Sequence, residues 1–264
     1  MEVEILGQGE PEHAVIGLIH GDEPCGSEAI ERFKRSDYSV KKPVKLILAN
    51  EKAAEKGVRY IDCDLNRNFP GDKESSKHEE KLAAEILEEV KGLEILSLHS
   101  TKSYSNPFAA QSILDKEDIE MIKDTGVRLV SFMENPINCL GEYSKAVTVE
   151  CGFQGSDNAA KNGYRVLINF LAANNVIDVE YRRSEPDMFK VFETIEKPDY
   201  EFTAANFQKV QKGEVYARRN GEELVAKEDF YPVLMSTNGY DTILGHKAKK
   251  IDKKRYLKLL LFGE

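Results

Sequence analysis

The stretch Ala14-Val15-Ile16-Gly17-Leu18-Ile19-His20-Gly21-Asp22-Glu23 reads as a buried β-strand that runs straight into a histidine, a glycine and two carboxylates. Six apolar residues without polar alternation fit a strand covered on both faces, as in a parallel sheet. The pattern returns at Glu94-Ile95-Leu96-Ser97-Leu98, which ends on His99-Ser100-Thr101. The chain has only five histidines in 264 residues, so two at strand ends are informative. Two imidazoles and a carboxylate form a ligand set for hydrolytic zinc, with a fourth position open for water. Gly21 permits the tight turn that would bring His20 and Glu23 onto one ion. Taken alone, either histidine could simply cap its strand through hydrogen bonds. The segments around them favour the metal reading.

Outward from these strands, short β-rich runs alternate with helical patterns. Further strands are expected at 2–6, 44–49, 127–132 and 146–151. Helices are expected at 27–34, 77–91 and 157–174; the second carries Leu82, Ile86, Leu87 and Val90 at helical spacing, and the third Val166, Leu167, Phe170 and Leu171. This order predicts an α/β fold with a mixed, largely parallel central sheet flanked by helices. After Val176 the texture changes to alternating β-branched and aromatic residues. Strands are expected at 176–181, 188–193, 214–219, 222–226 and 231–235, with a short helix near 204–210 and an Asn220-Gly221 hairpin turn. We therefore expect a larger α/β unit over 1–178 and a smaller β-rich C-terminal domain over 179–264.

Composition narrows the function classes. A net charge of -9 with 31% charged residues argues against a general nucleic-acid binder, because phosphate contact needs a basic surface. The start, Met1-Glu2-Val3-Glu4-Ile5, lacks the basic segment and apolar run of a signal peptide, and no 18-residue apolar stretch occurs. The reading is a cytoplasmic protein with no membrane partner. The four cysteines, Cys25, Cys63, Cys139 and Cys151, form no Cys-x-x-Cys pair and read as reduced thiols.

Two more segments carry chemistry. Residues 58–71 hold Arg59, Asp62, Asp64, Asn66, Arg67 and Asn68 with little helical or strand periodicity. Arg67 beside Asn66 could grip a substrate carboxylate, and Arg59 could stabilise an oxyanion beside the metal. A turn-rich surface loop with solvated charges is the plain alternative. In Val147-Thr148-Val149-Glu150-Cys151-Gly152 an acidic residue closes an apolar strand. A carboxylate there must be paired, partly wet or functional, because an unpaired buried charge is costly. As a general base it would take a proton from an activated water and pass it to the leaving nitrogen; a strand-end salt bridge is the alternative.

His-Gly-Asp-Glu followed by Gly26, then Arg59-Tyr-Ile-Asp-Cys-Asp-Leu-Asn-Arg-Asn-Phe69, then Leu98-His-Ser-Thr101, then Val149-Glu-Cys-Gly152, resembles the four signature blocks of the aspartoacylase and succinylglutamate desuccinylase family, within the wider zinc carboxypeptidase fold. The blocks stand in the family's order, and the β-rich tail resembles its second domain, a unit expected to cover the active-site cleft. The resemblance implies one Zn2+ per chain on His20, Glu23 and His99, with Glu150 as general base and acid. It implies that Arg59 polarises the scissile carbonyl, that Asn66 and Arg67 hold the α-carboxylate, and that Tyr240 reaches in from the tail. It implies a small-molecule N-acyl amino acid as partner, whose linear amide is cut by metal-activated water. A homo-oligomer is compatible with it. Aspartoacylases place a second arginine upstream of the catalytic glutamate to read a side-chain carboxylate; here 135–149 holds no arginine, and Lys145 is its only cation. The acyl group and amino acid are therefore open. A metallocarboxypeptidase and a non-catalytic metal-binding sensor or binding module are the alternatives to a deacylase.

Overall fold

The computed structural model describes residues 1–135, 137–252 and 256; residues 253–255 and 257–264 of the expected C-terminal unit lie outside the described residues. In chain order the strands are β1 (Glu2–Leu6), β2 (His13–Gly17), β3 (Val44–Leu48), β4 (Glu94–Thr101), β5 (Phe108–Gln111), β6 (Leu129–Phe132), β7 (Lys145–Phe153), β8 (Asp187–Ile195), β9 (Glu201–Phe202), β10 (Val215–Arg219), β11 (Glu222–Val225), β12 (Tyr231–Val233) and β13 (Gly245–Ile251). The helices are α1 (Cys25–Lys34), α2 (Glu51–Glu55), α3 (His78–Glu89), α4 (Lys116–Thr125) and α5 (Asp157–Ala173).

Ten strands form one sheet in the order β1-β3-β2-β4-β7-β5-β6-β8-β13-β12, and β11-β10-β9 form a small second sheet. The run β3-β2-β4-β7 is parallel, as is β5-β6-β8. Antiparallel pairing occurs at β1, between β5 and β7, and at β13 and β12. The fold is therefore the mixed, mainly parallel α/β class expected from the sequence.

Helices cover both faces of the central strands, which is why those strands are apolar throughout. On one face Val15, Leu96, Leu98, Val147, Val149 and Cys151 pack against α1 (Ala29, Ile30, Phe33) and α5 (Val166, Leu167, Phe170). On the other, Ile16, Ile47, Ile95 and Ala146 pack against α3 through Leu82, Ala83 and Ile86. Fully burying such a side chain contributes about 1.5–3 kcal/mol before conformational entropy is subtracted. Helix starts follow side-chain caps: Ser156 Oγ accepts from Ala159 N at 3.1 Å ahead of α5, and Asp115 forms a capping box with Asp118 ahead of α4.

Several elements differ from expectation. α2, α4, β5, β9 and β13 form where none was expected. The expected helix at 204–210 does not form, because the Asn206 side chain bonds the backbone of Met235 and Tyr104 and fixes a turn. The expected strand at 176–181 reduces to an isolated bridge between Val40 and Ile177. The Asn220-Gly221 hairpin forms, joining β10 to β11 with both residues at positive φ.

Candidate active site

Alternation along β4 decides which side chains meet. Leu96 and Leu98 face α1 and α5, so Ser97 and His99 face the α3 side. In the parallel register His99 lies opposite Glu150 on β7, so these two side chains stand next to each other on that face. His20 arrives from the end of β2. There Leu18 takes φ +59°, an unfavourable geometry for a non-glycine residue that costs on the order of 1–2 kcal/mol. Backbone bonds from Asn50 N to Leu18 O (2.8 Å) and from Ala49 N to Gly17 O (3.0 Å) hold this bend. Gly21 is needed for closeness rather than for turn geometry, since a Cβ on it would sit 2.3 Å from the Ala53 carbonyl carbon of α2.

His20, Glu23 and His99 are buried, and their ligand atoms all lie within 4.8 Å of one another. His20 Nδ1 is 2.8 Å from Glu23 Oε1, and His99 Nδ1 is 3.0 Å from Glu23 Oε2. The second ring nitrogens have outer partners: His20 Nε2 is 3.1 Å from Asp64 Oδ1, and His99 Nε2 is 3.1 Å from Ser97 Oγ. Outer partners of this kind fix the orientation of ligating histidines. Burial disfavours a charged His20, but the charge of Glu23 and the bonds to Asp64 and Glu23 outweigh it and raise its pKa to about 9. His99 moves down, because burial outweighs its bond to Glu23. Burial also opposes ionisation of Glu23, yet His20 and His99 hold its carboxyl well below the usual range. Two imidazole nitrogens and an ionised carboxylate converging below the surface are a donor set that could hold a borderline-soft divalent ion.

Arg59 leans over this cluster. Its Nη1 donates to Glu23 Oε1 at 3.0 Å, its Nε donates to Asp64 Oδ2 at 3.1 Å, and its Nη2 lies 2.9 Å from His20 Nε2. A guanidinium has five N–H groups, so each Nη keeps at least one for a further acceptor. Glu150 is the unusual member. Its Oε2 is buried with no hydrogen-bond partner among the described residues, and its pKa is pushed up to about 8, by burial first and then by the charge of Glu23.

Asn66 and Arg67 lie in a short 3₁₀ turn, Leu65–Arg67, next to this cluster in sequence. Asn66 Oδ1 accepts from Leu140 N at 3.1 Å, which leaves its amide N–H groups as donors. Arg67 is exposed, and its Nη1 donates to Asn66 O at 2.8 Å. Tyr240 reaches in from the tail: its hydroxyl is 2.9 Å from Thr101 Oγ1, and burial above all pushes its pKa up to about 12. The same tail loop places Ser236 Oγ on Lys102 O (2.6 Å), and Asn206 Nδ2 donates to Tyr104 O (3.1 Å). The structure thus gathers His20, Glu23, His99, Glu150 and Arg59 around one point, with Tyr240 adjoining and Asn66 and Arg67 joined through Asp64. Asp64, Ser97 and Thr101 are partners that sequence reasoning did not single out. Asp64 lay inside the quoted block, and Ser97 two residues before His99 was a readable same-face position.

The model of the succinylglutamate desuccinylase/aspartoacylase catalytic domain matches residues 10–155. A probable aspartoacylase of Prochlorococcus marinus is 37% identical over 67 residues, 25% of this chain and 22% of that protein. A succinylglutamate desuccinylase of a Shewanella species is 23% identical over 263 residues, 82% of this chain and 75% of that one. The chain thus matches less than a quarter of the length of the first of these curated relatives. A crystal structure titled succinylglutamatedesuccinylase/aspartoacylase from Rhodobacter sphaeroides superposes with a TM-score of 0.78 at 18% identity, covering 95% of this chain and 89% of that one. That likeness is one of fold. The family match takes in β2, β4, β7 and every residue of the buried cluster and spans more than half of the sequence, so the chain belongs to the succinylglutamate desuccinylase/aspartoacylase family.

Proposed function

We propose that the chain is a zinc-dependent deacylase that hydrolyses the linear amide bond of an N-acyl amino acid. The observation that carries the reading is Glu150. A buried carboxylate with one oxygen unpartnered among the described residues, beside the His20, Glu23 and His99 cluster, suits proton transfer and is not needed to bind metal. When bound, zinc would polarise a carbonyl and lower the pKa of a water molecule. His20, Glu23 and His99 would hold it. In its ionised form Glu150 would accept the proton of the attacking water and return it to the departing amine nitrogen. Arg59, with one N–H left on each Nη, would donate to the oxyanion, a contact of the kind worth about 3–4 kcal/mol.

Arg67 and the Asn66 amide would bind the α-carboxylate. Truncating Arg67 to Ala is expected to raise KM about 10- to 100-fold with kcat nearly unchanged, the cost of one charge-assisted clamp. Steady-state kinetics on the free acid and its methyl ester check this, since the ester should show little response to the substitution. The Tyr240 and Ser236 contacts to residues 101–102 set the tail against the exit of β4, which supports a small substrate over a long peptide. Assaying bound metal together with hydrolysis of a panel of N-acyl amino acids and C-terminal peptides tests the whole reading. Stoichiometric zinc with acyl release supports it; peptide trimming alone, or no metal and no turnover, overturns it.

A further inference from the structure

Glu79 lies outside the cluster, yet it is fully buried at the start of α3. Its carboxylate accepts from three successive backbone amides, Ile61 N (2.6 Å), Asp62 N (2.9 Å) and Cys63 N (3.2 Å), and from Asn50 Nδ2 (2.9 Å). Successive amides that converge on an anion form a nest of the type that binds phosphate or carboxylate ligands. Here the chain's own carboxylate fills it. The nest is bracketed by Arg59 and Asp64, the two residues that bond to His20 and Glu23 from outside. Asp62 returns the contact by accepting from His78 N at 2.7 Å, and Gly21 N donates to Arg59 O at 3.0 Å.

Burying a carboxylate is expensive, and its four hydrogen bonds offset that cost here, whereas an apolar side chain would leave the same donors unpaired. The position at a helix N-terminus offsets part of that cost. All four donors named above are uncharged, so the carboxylate shapes a loop rather than neutralising a cation.

We propose that Glu79 is the positioning residue for Arg59: by filling the 61–63 nest it sets the backbone from which the guanidinium reaches Glu23 and Asp64. This rests on the deacylase reading for its kinetic consequence only. A double-mutant cycle with Arg59→Ala, combined with NMR of the Arg59 Nε–H signal in the metal-free chain, tests it. Glu79→Gln is expected to lower kcat about 30- to 100-fold, with KM and zinc content changed by less than about threefold. In the Arg59→Ala background the same substitution should cost less than about threefold more, because the two residues act as one unit. The Arg59 Nε–H signal, protected in the parent by the Asp64 bond, should broaden or vanish. An unchanged signal, or equal losses of kcat in both backgrounds, overturns the proposal. Absence of turnover in the parent chain would overturn the deacylase reading instead and leave the NMR result decisive. If Glu79→Gln does not fold, Glu79→Asp, which withdraws the carboxylate by one methylene, is read by the same signal.

Discussion

Replacing Glu150 by Gln is expected to leave one zinc per chain in place and to lower kcat by about 10³-fold, within the usual 10²–10⁴ range for loss of a positioned acid–base group. Metal analysis and single-turnover kinetics check the two halves separately. Unchanged turnover removes Glu150 from the mechanism, and loss of metal makes it part of the binding site instead. The same substitution should stabilise the metal-free fold. The folded-state pKa of Glu150 is raised from 4.5 to about 8, so its share of stability is intact below 4.5 and is lost as pH rises through about 8. Each pKa unit corresponds to about 1.4 kcal/mol, and after relaxation we expect ~2–4 kcal/mol by pH 9. Glutamine stays neutral and avoids that loss. The melting temperature of Glu150→Gln should therefore exceed that of the parent by a margin that widens from pH 5 to pH 9. A margin independent of pH would contradict the assignment of the raised pKa to this carboxyl.

Replacing His99 by Ala is expected to abolish both zinc retention and turnover. Losing an outer partner of a metal ligand typically costs about 10–100-fold in affinity, and losing the ligand itself should exceed that. Competition with a chelator ranks the variants: Asp64→Ala should weaken zinc binding within the lower range, and His99→Ala should weaken it beyond. A chelator-treated parent should match His99→Ala in activity and recover when zinc is returned, whereas the variant should not. Full activity in the chelated parent would remove the metal from the reaction.

The elements that sequence reasoning located are those whose signal is local. β2, β4 and β7 are covered on both faces and read as apolar runs, and α3 and α5 carry a stripe at helical spacing. The histidines at the strand ends were legible for the same reason. β5 has four residues behind Pro107 and shows no period, while β13, Gly-His-Lys-Ala-Lys-Lys-Ile, carries three lysines that disguise a strand. α4 left a readable signal in its Asp115 capping box with apolar Ile119 and Ile122. The pairing of His99 with Glu150 depends on strand order, which no local pattern encodes. Glu79 was invisible because three of its four donors are backbone amides, which carry no residue identity, and the fourth, Asn50, lies 29 residues away in sequence.

β8 pairs with β6, β13 pairs with β8, and the loop between β12 and β13 supplies Ser236 and Tyr240 to the residues that follow His99. One segment therefore covers the β6 edge of the sheet and also contacts the two residues that follow Ser100 at the end of β4. Removing it would expose the backbone of β6 to pairing with other chains.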